Sequence, residues 1–129
     1  MRRYHEDNTY APNGEIFVFG SNLAGRHGAG AARAAFEIGG AQWGRGRGLT
    51  GWTYAIPTKD ERINTRNIYD VVKEIDDFVV FTQDNPGIMF FITRIGCGLA
   101  GFKDEQIAPL FKNCGKNCSF PENWKEWLK

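Results

Sequence analysis

The feature that most constrains this chain is residues 17–32, Phe-Val-Phe-Gly-Ser-Asn-Leu-Ala-Gly-Arg-His-Gly-Ala-Gly-Ala-Ala. A run of β-branched and aromatic residues enters a glycine-rich bend, and the bend opens directly into small, helix-prone side chains. A strand buried on both faces and followed at once by a helix begins a βαβ unit, which points to a parallel sheet covered by helices. The bend itself presents backbone N–H groups and the positive end of a helix dipole, the physical basis of a phosphate cradle. These residues imply a phosphorylated ligand, a nucleotide derivative foremost.

The rest of the chain repeats the pattern. Residues 15–19 read as a central strand, and residues 29–38 as a helix stopped by Gly39 and Gly40. Residues 54–56 form a short strand closed by Pro57, with Thr58, Lys59 and Asp60 as a polar cluster at its end. Between residues 64 and 84, Ile68, Val71, Val72, Ile75, Phe78 and Val79 recur at three- and four-residue intervals, one face of a long amphipathic helix. Residues 88–93 are a second buried strand that empties into a second glycine loop, residues 94–102. A helix from Asp104, a weak strand at 117–120 and a terminal helical turn at 122–128 complete the order, and residues 1–14 read as an irregular arm. The expectation is one α/β domain over residues 1–129, three layers with a mostly parallel sheet. In such sheets ligands bind at the carboxyl ends of the strands, where both glycine loops and the residue 58–60 cluster converge.

Composition narrows the partners. Sixteen of 129 residues are glycine, and eleven of those precede residue 52, so the excess asks for a local reason. A formal net charge of +1 argues against nucleic acid as the main partner. Three cysteines fit a reducing compartment, and Cys114 and Cys118 lack the further ligands a zinc site needs, so neither metal nor cofactor is expected. No signal peptide or long apolar run is present, which makes a soluble cytoplasmic protein with no membrane partner the expectation. Residues 41–53, with Trp43, Arg45, Arg47 and Trp52 among glycines, form a loop too long for a mere connection. Its arginines read as solvated charges; a lid over a diphosphate, or stacking and backbone contact with single-stranded nucleic acid, are the functional alternatives.

At residues 20–32 and 93–102 the chain resembles the macrodomain superfamily, whose members bind ADP-ribose and in some cases hydrolyse its links to proteins. Arg94-Ile95-Gly96-Cys97-Gly98-Leu99-Ala100-Gly101-Phe102 is similar to that family's diphosphate loop, and especially to the terminal ADP-ribose protein glycohydrolase branch, which also reads Arg-Ile-Gly-Cys-Gly-Leu. Both segments are also similar to small phage and prophage proteins of unassigned function. The resemblance implies a macrodomain-like fold, reduced in size and short of one or more outer strands, with ADP-ribose or a related nucleotide, or an ADP-ribosylated protein, as partner. In the glycohydrolase branch a lysine and an aspartate carry the chemistry, and the aspartate follows Gly-Cys-Gly-Leu. Lys59 matches the lysine, whereas Ala100 stands in the aspartate's place, so Asp60 or Asp104 would have to substitute.

The expected contacts follow, each beside its structural alternative. Gly28, Ala29 and Gly30 in the first loop, and Ile95, Gly96, Cys97, Gly98, Leu99 and Gly101 in the second, would hold phosphates through their backbone; glycine also permits tight helix packing. Asn22 would meet a sugar hydroxyl, or simply cap the turn. Phe102 would cover a ring, or pack in the core. If the protein is an ADP-ribosyl hydrolase, His27, Lys59 and Asp60 are its candidate polar groups, although His27 could equally make a structural hydrogen bond. Cys97 reads as a small buried filler rather than a nucleophile.

Overall fold

The computed structural model describes residues 2–129. Its six strands are β1 (Arg3–His5), β2 (Glu15–Asn22), β3 (Gly48–Thr50), β4 (Thr53–Lys59), β5 (Met89–Ile92) and β6 (Cys118–Pro121), and its four helices are α1 (Gly30–Ala34), α2 (Ile68–Asp84), α3 (Asp104–Ile107) and α4 (Lys125–Leu128). One sheet holds all the strands in the order β1-β6-β5-β2-β4-β3. Every pairing is parallel except β3 with β4. The expected α/β class with a mostly parallel sheet is therefore what the chain adopts.

Strand β2 is central, and its alternation divides the core. Ile16 and Val18 face one side, where they pack with Ile56, Phe90, Ile92 and Phe120 against Val71, Ile75 and Phe78 of α2 and Trp124 near the C-terminus. Phe17 and Phe19 face the other side with Ala55 and Phe91, covered by Ala32 and Ala35. The methyl side chains of α1 let its backbone lie close to these rings, which is why an alanine-rich segment serves here. Each fully buried Ile, Val or Phe contributes about 1.5–3 kcal/mol relative to exposure, so this two-sided strand anchors both helix layers.

Several boundaries differ from the sequence expectation. Strand β2 continues past Phe19 through Gly20 to Asn22, so the first loop begins three residues later. Strand β4 runs through Pro57 to Lys59 because its pairing with β2 continues to Asn22, whereas β3 covers its other edge only from Thr53 to Ala55. Pro57 lies in register with Ser21 of β2 but beyond the reach of β3, and its carbonyl accepts from Arg66 Nη1 at 3.0 Å. Helix α2 starts at Ile68 rather than 64, set by Asn67, whose side chain accepts from the Tyr69 N–H at 2.8 Å. α1 continues as a π turn, Ala35–Gly39, and ends at Gly40 in the left-handed region.

Two short edge strands, β1 in the supposed irregular arm and β3 in the arginine-glycine loop, carry too few residues to announce themselves by alternation. They add to the four strands legible in the sequence. Among the described residues no helix is long and apolar enough to cross a membrane.

Candidate functional site

Chain direction reverses about β2: α1 leads to β3 and β4 on one side, and α2 returns to β5 on the other. At the carboxyl ends of these strands lies a cleft of about 680 Å³, within the range of small-molecule sites. Gly20, Ser21 and Asn22 of β2, Thr58 and Lys59 of β4, and Thr93 after β5 line it. The first glycine loop contributes Arg26, Gly28, Ala29 and Gly30, and the second contributes Ile95, Gly96, Cys97, Gly98, Leu99 and Ala100. The structure thus brings together nearly all the backbone positions expected to meet phosphate. At Gly28 and Gly98 a Cβ would meet no atom within 4 Å, so both backbones face open space.

Four of the expected residues are placed otherwise. His27 points away from the cleft and is 1% exposed. Its Nε2 lies 2.8 Å from the Gln42 carbonyl, and its ring meets Phe19 edge-on at 5.5 Å. Phe36 and Trp43 pack on the same ring, with centroids 6.4 and 6.1 Å away, so it is held in an aromatic cluster and does not line the cleft. Asp60 does not line the cleft, since its Oδ1 accepts from the N–H groups of Arg62 at 2.9 Å and Asn64 at 3.0 Å and closes a tight turn. Phe102 packs on the core beneath the second loop, against the α carbon side of Gly96, and neither it nor Gly101 lines the cleft. Gly101 closes the loop instead, with its N–H on the Gly98 carbonyl at 3.1 Å and φ of +83°.

Asn22 borders the cleft, but its amide is engaged: Nδ2 donates to the Arg26 carbonyl at 2.8 Å and Oδ1 accepts from the Arg26 N–H at 2.9 Å. The side chain shapes the loop, and a ligand would have to share it. Lys59 is the polar candidate that stands in the cleft as expected.

The long loop between α1 and β4 is ordered rather than a lid. The Gly44 N–H donates to the Gly25 carbonyl at 2.9 Å, and Ser21 Oγ donates to the Gly46 carbonyl. A Cβ at Gly25 would overlap the backbone of Gly44 and Arg45, and one at Gly46 would overlap the Asn22 carbonyl oxygen. Much of the local glycine excess is therefore consumed in pressing two loop backbones together. Arg47 is not a free charge: its Nε donates to both oxygens of the nearly buried Glu74 at 3.0 and 2.9 Å, which also takes Arg66 at 3.2 Å.

Two connections fix the second glycine loop. At its start, Arg94 Nε and Nη2 grip Asp104 at 3.0 and 2.7 Å while Nη1 reaches Asp7 of the arm at 3.2 Å. Trp124 Nε1 donates to the same Asp104 at 2.7 Å. Burial alone would raise the Asp104 carboxyl, but hydrogen bonds from Arg94, Trp124 and Cys97 outweigh it and hold the group below its ordinary range. At its end, Thr65 Oγ1 donates to the Ala100 carbonyl at 2.8 Å.

The electrostatic consequence is that Arg94 is shared by two carboxylates, Asp104 and the cleft-lining Asp7, whereas Lys59 and Arg26 enter no ion pair among the described residues. The cleft keeps two cations for an anion. Burial and the nearby Asp104 carboxylate push the Cys97 thiol up to about 12, which keeps it protonated and unreactive.

Sequence reasoning missed several lining residues. Arg26 carried a signal, since it sits inside the first loop. The arm residues Asp7, Asn8, Thr9 and Tyr10 form a wall of the cleft with no local motif to mark them, as does Ile63 of the 60–64 turn. Tyr10 stacks on Phe17 with ring centroids 4.1 Å apart.

No family model matches the chain, and no curated protein matches it. Among solved structures it is similar to a protein of unknown function from Bacteroides thetaiotaomicron, with 18% sequence identity, a TM-score of 0.61, and coverage of 94% of this chain and 97% of that chain. At that identity the likeness extends to the fold, over almost the whole of both chains.

Proposed function

We propose that the cleft binds ADP-ribose or a related nucleotide diphosphate, with the phosphates between the two glycine loops and without turnover. The observation that carries this reading is the meeting of both loops in one cleft, where Gly28 and Gly98 turn unobstructed backbone toward the cavity and Lys59 and Arg26 supply positive charge. Backbone N–H groups approached this closely by a ligand need residues without side chains, which is what the two loops provide.

Binding is favoured over hydrolysis because Lys59 has no free carboxylate at hand to act as its base. Asp60 is tied into its own turn, Asp104 is held by Arg94 and Trp124, and Ala100 offers only a methyl group.

Calorimetric titration with ADP-ribose, ADP and NAD tests the reading, and absence of heat from all three at millimolar concentration overturns it. Release of ADP-ribose from a mono-ADP-ribosylated protein would overturn the non-catalytic part alone.

A further inference from the structure

Three exposed large apolar side chains, Ile38, Ile63 and Leu99, line this one cleft. Exposed apolar groups gathered at a cavity mark a surface that a ligand covers. Ile63 stands apart from the other two because its backbone lies in the left-handed region, with φ of +66°. For a β-branched residue that conformation is costly and persists only where its surroundings impose it.

The surroundings here are a tight turn: the Ile63 N–H donates to the Asp60 carbonyl at 3.1 Å, and the Asp60 N–H to the Asn64 carbonyl at 2.8 Å. Glycine or asparagine would satisfy that turn at less cost. Ile63 belongs to neither core cluster, so packing within the fold does not account for it either. Its position is fixed relative to the rest of the site, because Thr65 pairs with Lys59 and bonds the Ala100 carbonyl at 2.8 Å.

We propose that Ile63 is a specificity-determining residue that contacts the group beyond the diphosphate, and so separates ADP-ribose from ADP; this rests on the diphosphate-binding reading above. A diphosphate between the glycine loops leaves one ligand group on each side. The wall built by the arm carries an aromatic ring, Tyr10 stacked on Phe17, beside polar side chains, which suits a planar base. The wall that the 60–64 turn and the second glycine loop supply through Ile63 and Leu99 is aliphatic and suits the carbon face of a sugar. ADP ends at the diphosphate and never reaches that wall.

The test is calorimetric titration of wild type, Ile63→Asn and Ile63→Leu with ADP-ribose and with ADP, beside thermal melts. Ile63→Asn is expected to weaken ADP-ribose about tenfold and ADP less than about twofold, the loss of one apolar contact in the ground state. Ile63→Leu keeps ADP-ribose within about threefold, because it retains the apolar surface. Both variants melt at or above the wild-type temperature, since the β-branch in the left-handed region is gone.

Equal weakening of the two ligands by Ile63→Asn, or none for either, overturns the inference. Wild type that binds ADP as tightly as ADP-ribose overturns the inference and leaves the diphosphate reading standing, and wild type that binds neither overturns both.

Discussion

Gly46 packs so tightly against Asn22 that a Cβ at residue 46 would overlap the Asn22 carbonyl oxygen and crowd the Gly25 amide nitrogen. Two loops far apart in sequence are thereby fused backbone to backbone at the base of the first glycine loop. The contact explains why glycine recurs in a stretch that otherwise reads as a flexible or nucleic-acid-binding loop. The same base is held from within by the Asn22 amide bonds to Arg26.

Gly46→Ala is expected to destabilise the protein by about 3 kcal/mol, because the obstructing atoms are backbone and cannot rotate away. Urea denaturation checks this. A loss below about 1 kcal/mol would show that the two loops can separate without penalty to the fold.

Gly98→Val separates folding from binding in the opposite sense. Residue 98 is not among the positive-φ glycines and a Cβ there meets nothing within 4 Å, so stability should change by less than about 1 kcal/mol. The added isopropyl group would occupy the space proposed for phosphate. Affinity for ADP-ribose should fall at least about tenfold, by the same titration used for wild type. Unchanged affinity would move the phosphates away from the second loop.

His5 should make stability depend on pH. Burial lowers its pKa from 6.5 to about 4, against opposing contributions from the Ile92 carbonyl and Asp7. Its ring stacks on Phe91 with centroids 3.6 Å apart, and Nδ1 lies 2.6 Å from Ser119 Oγ. The folded ring stays neutral where the unfolded one takes up a proton, so stability is full above pH 6.5 and is lost as pH falls toward 4.

One proton sets a limit of about 1.4 kcal/mol per pH unit, and partial solvation of the ring reduces the expected loss between pH 6.5 and 5 to about 1 kcal/mol. Urea denaturation of wild type and His5→Gln at both pH values measures it. The variant should be less stable at neutral pH and should lack this part of the slope.

Residues 15–19, 71–79 and 88–92 were legible because their signals are local and redundant: continuous apolar runs for strands buried on both faces, and a 3.6-residue period for α2. The glycine loops were legible for the same reason, since each directly follows such a strand, and parallel topology places them on one edge of the sheet. Those features determined the α/β class, the position of the cleft and most of its backbone lining.

Side-chain direction was settled only by tertiary structure. His27 and Gly28 are neighbours in one loop, yet one ring is buried against Phe19 and the other backbone opens to the cavity. Nothing local separates them, because the choice depends on what β2 and the loop after α1 leave unfilled. The arm wall and the Ile63 turn are likewise brought to the cleft by long-range contacts, Asp7 to Arg94 and Thr65 to Ala100. Periodicity and composition record how a segment meets its own neighbours in the chain, whereas a site is assembled from segments whose only connection is the packing of the finished fold.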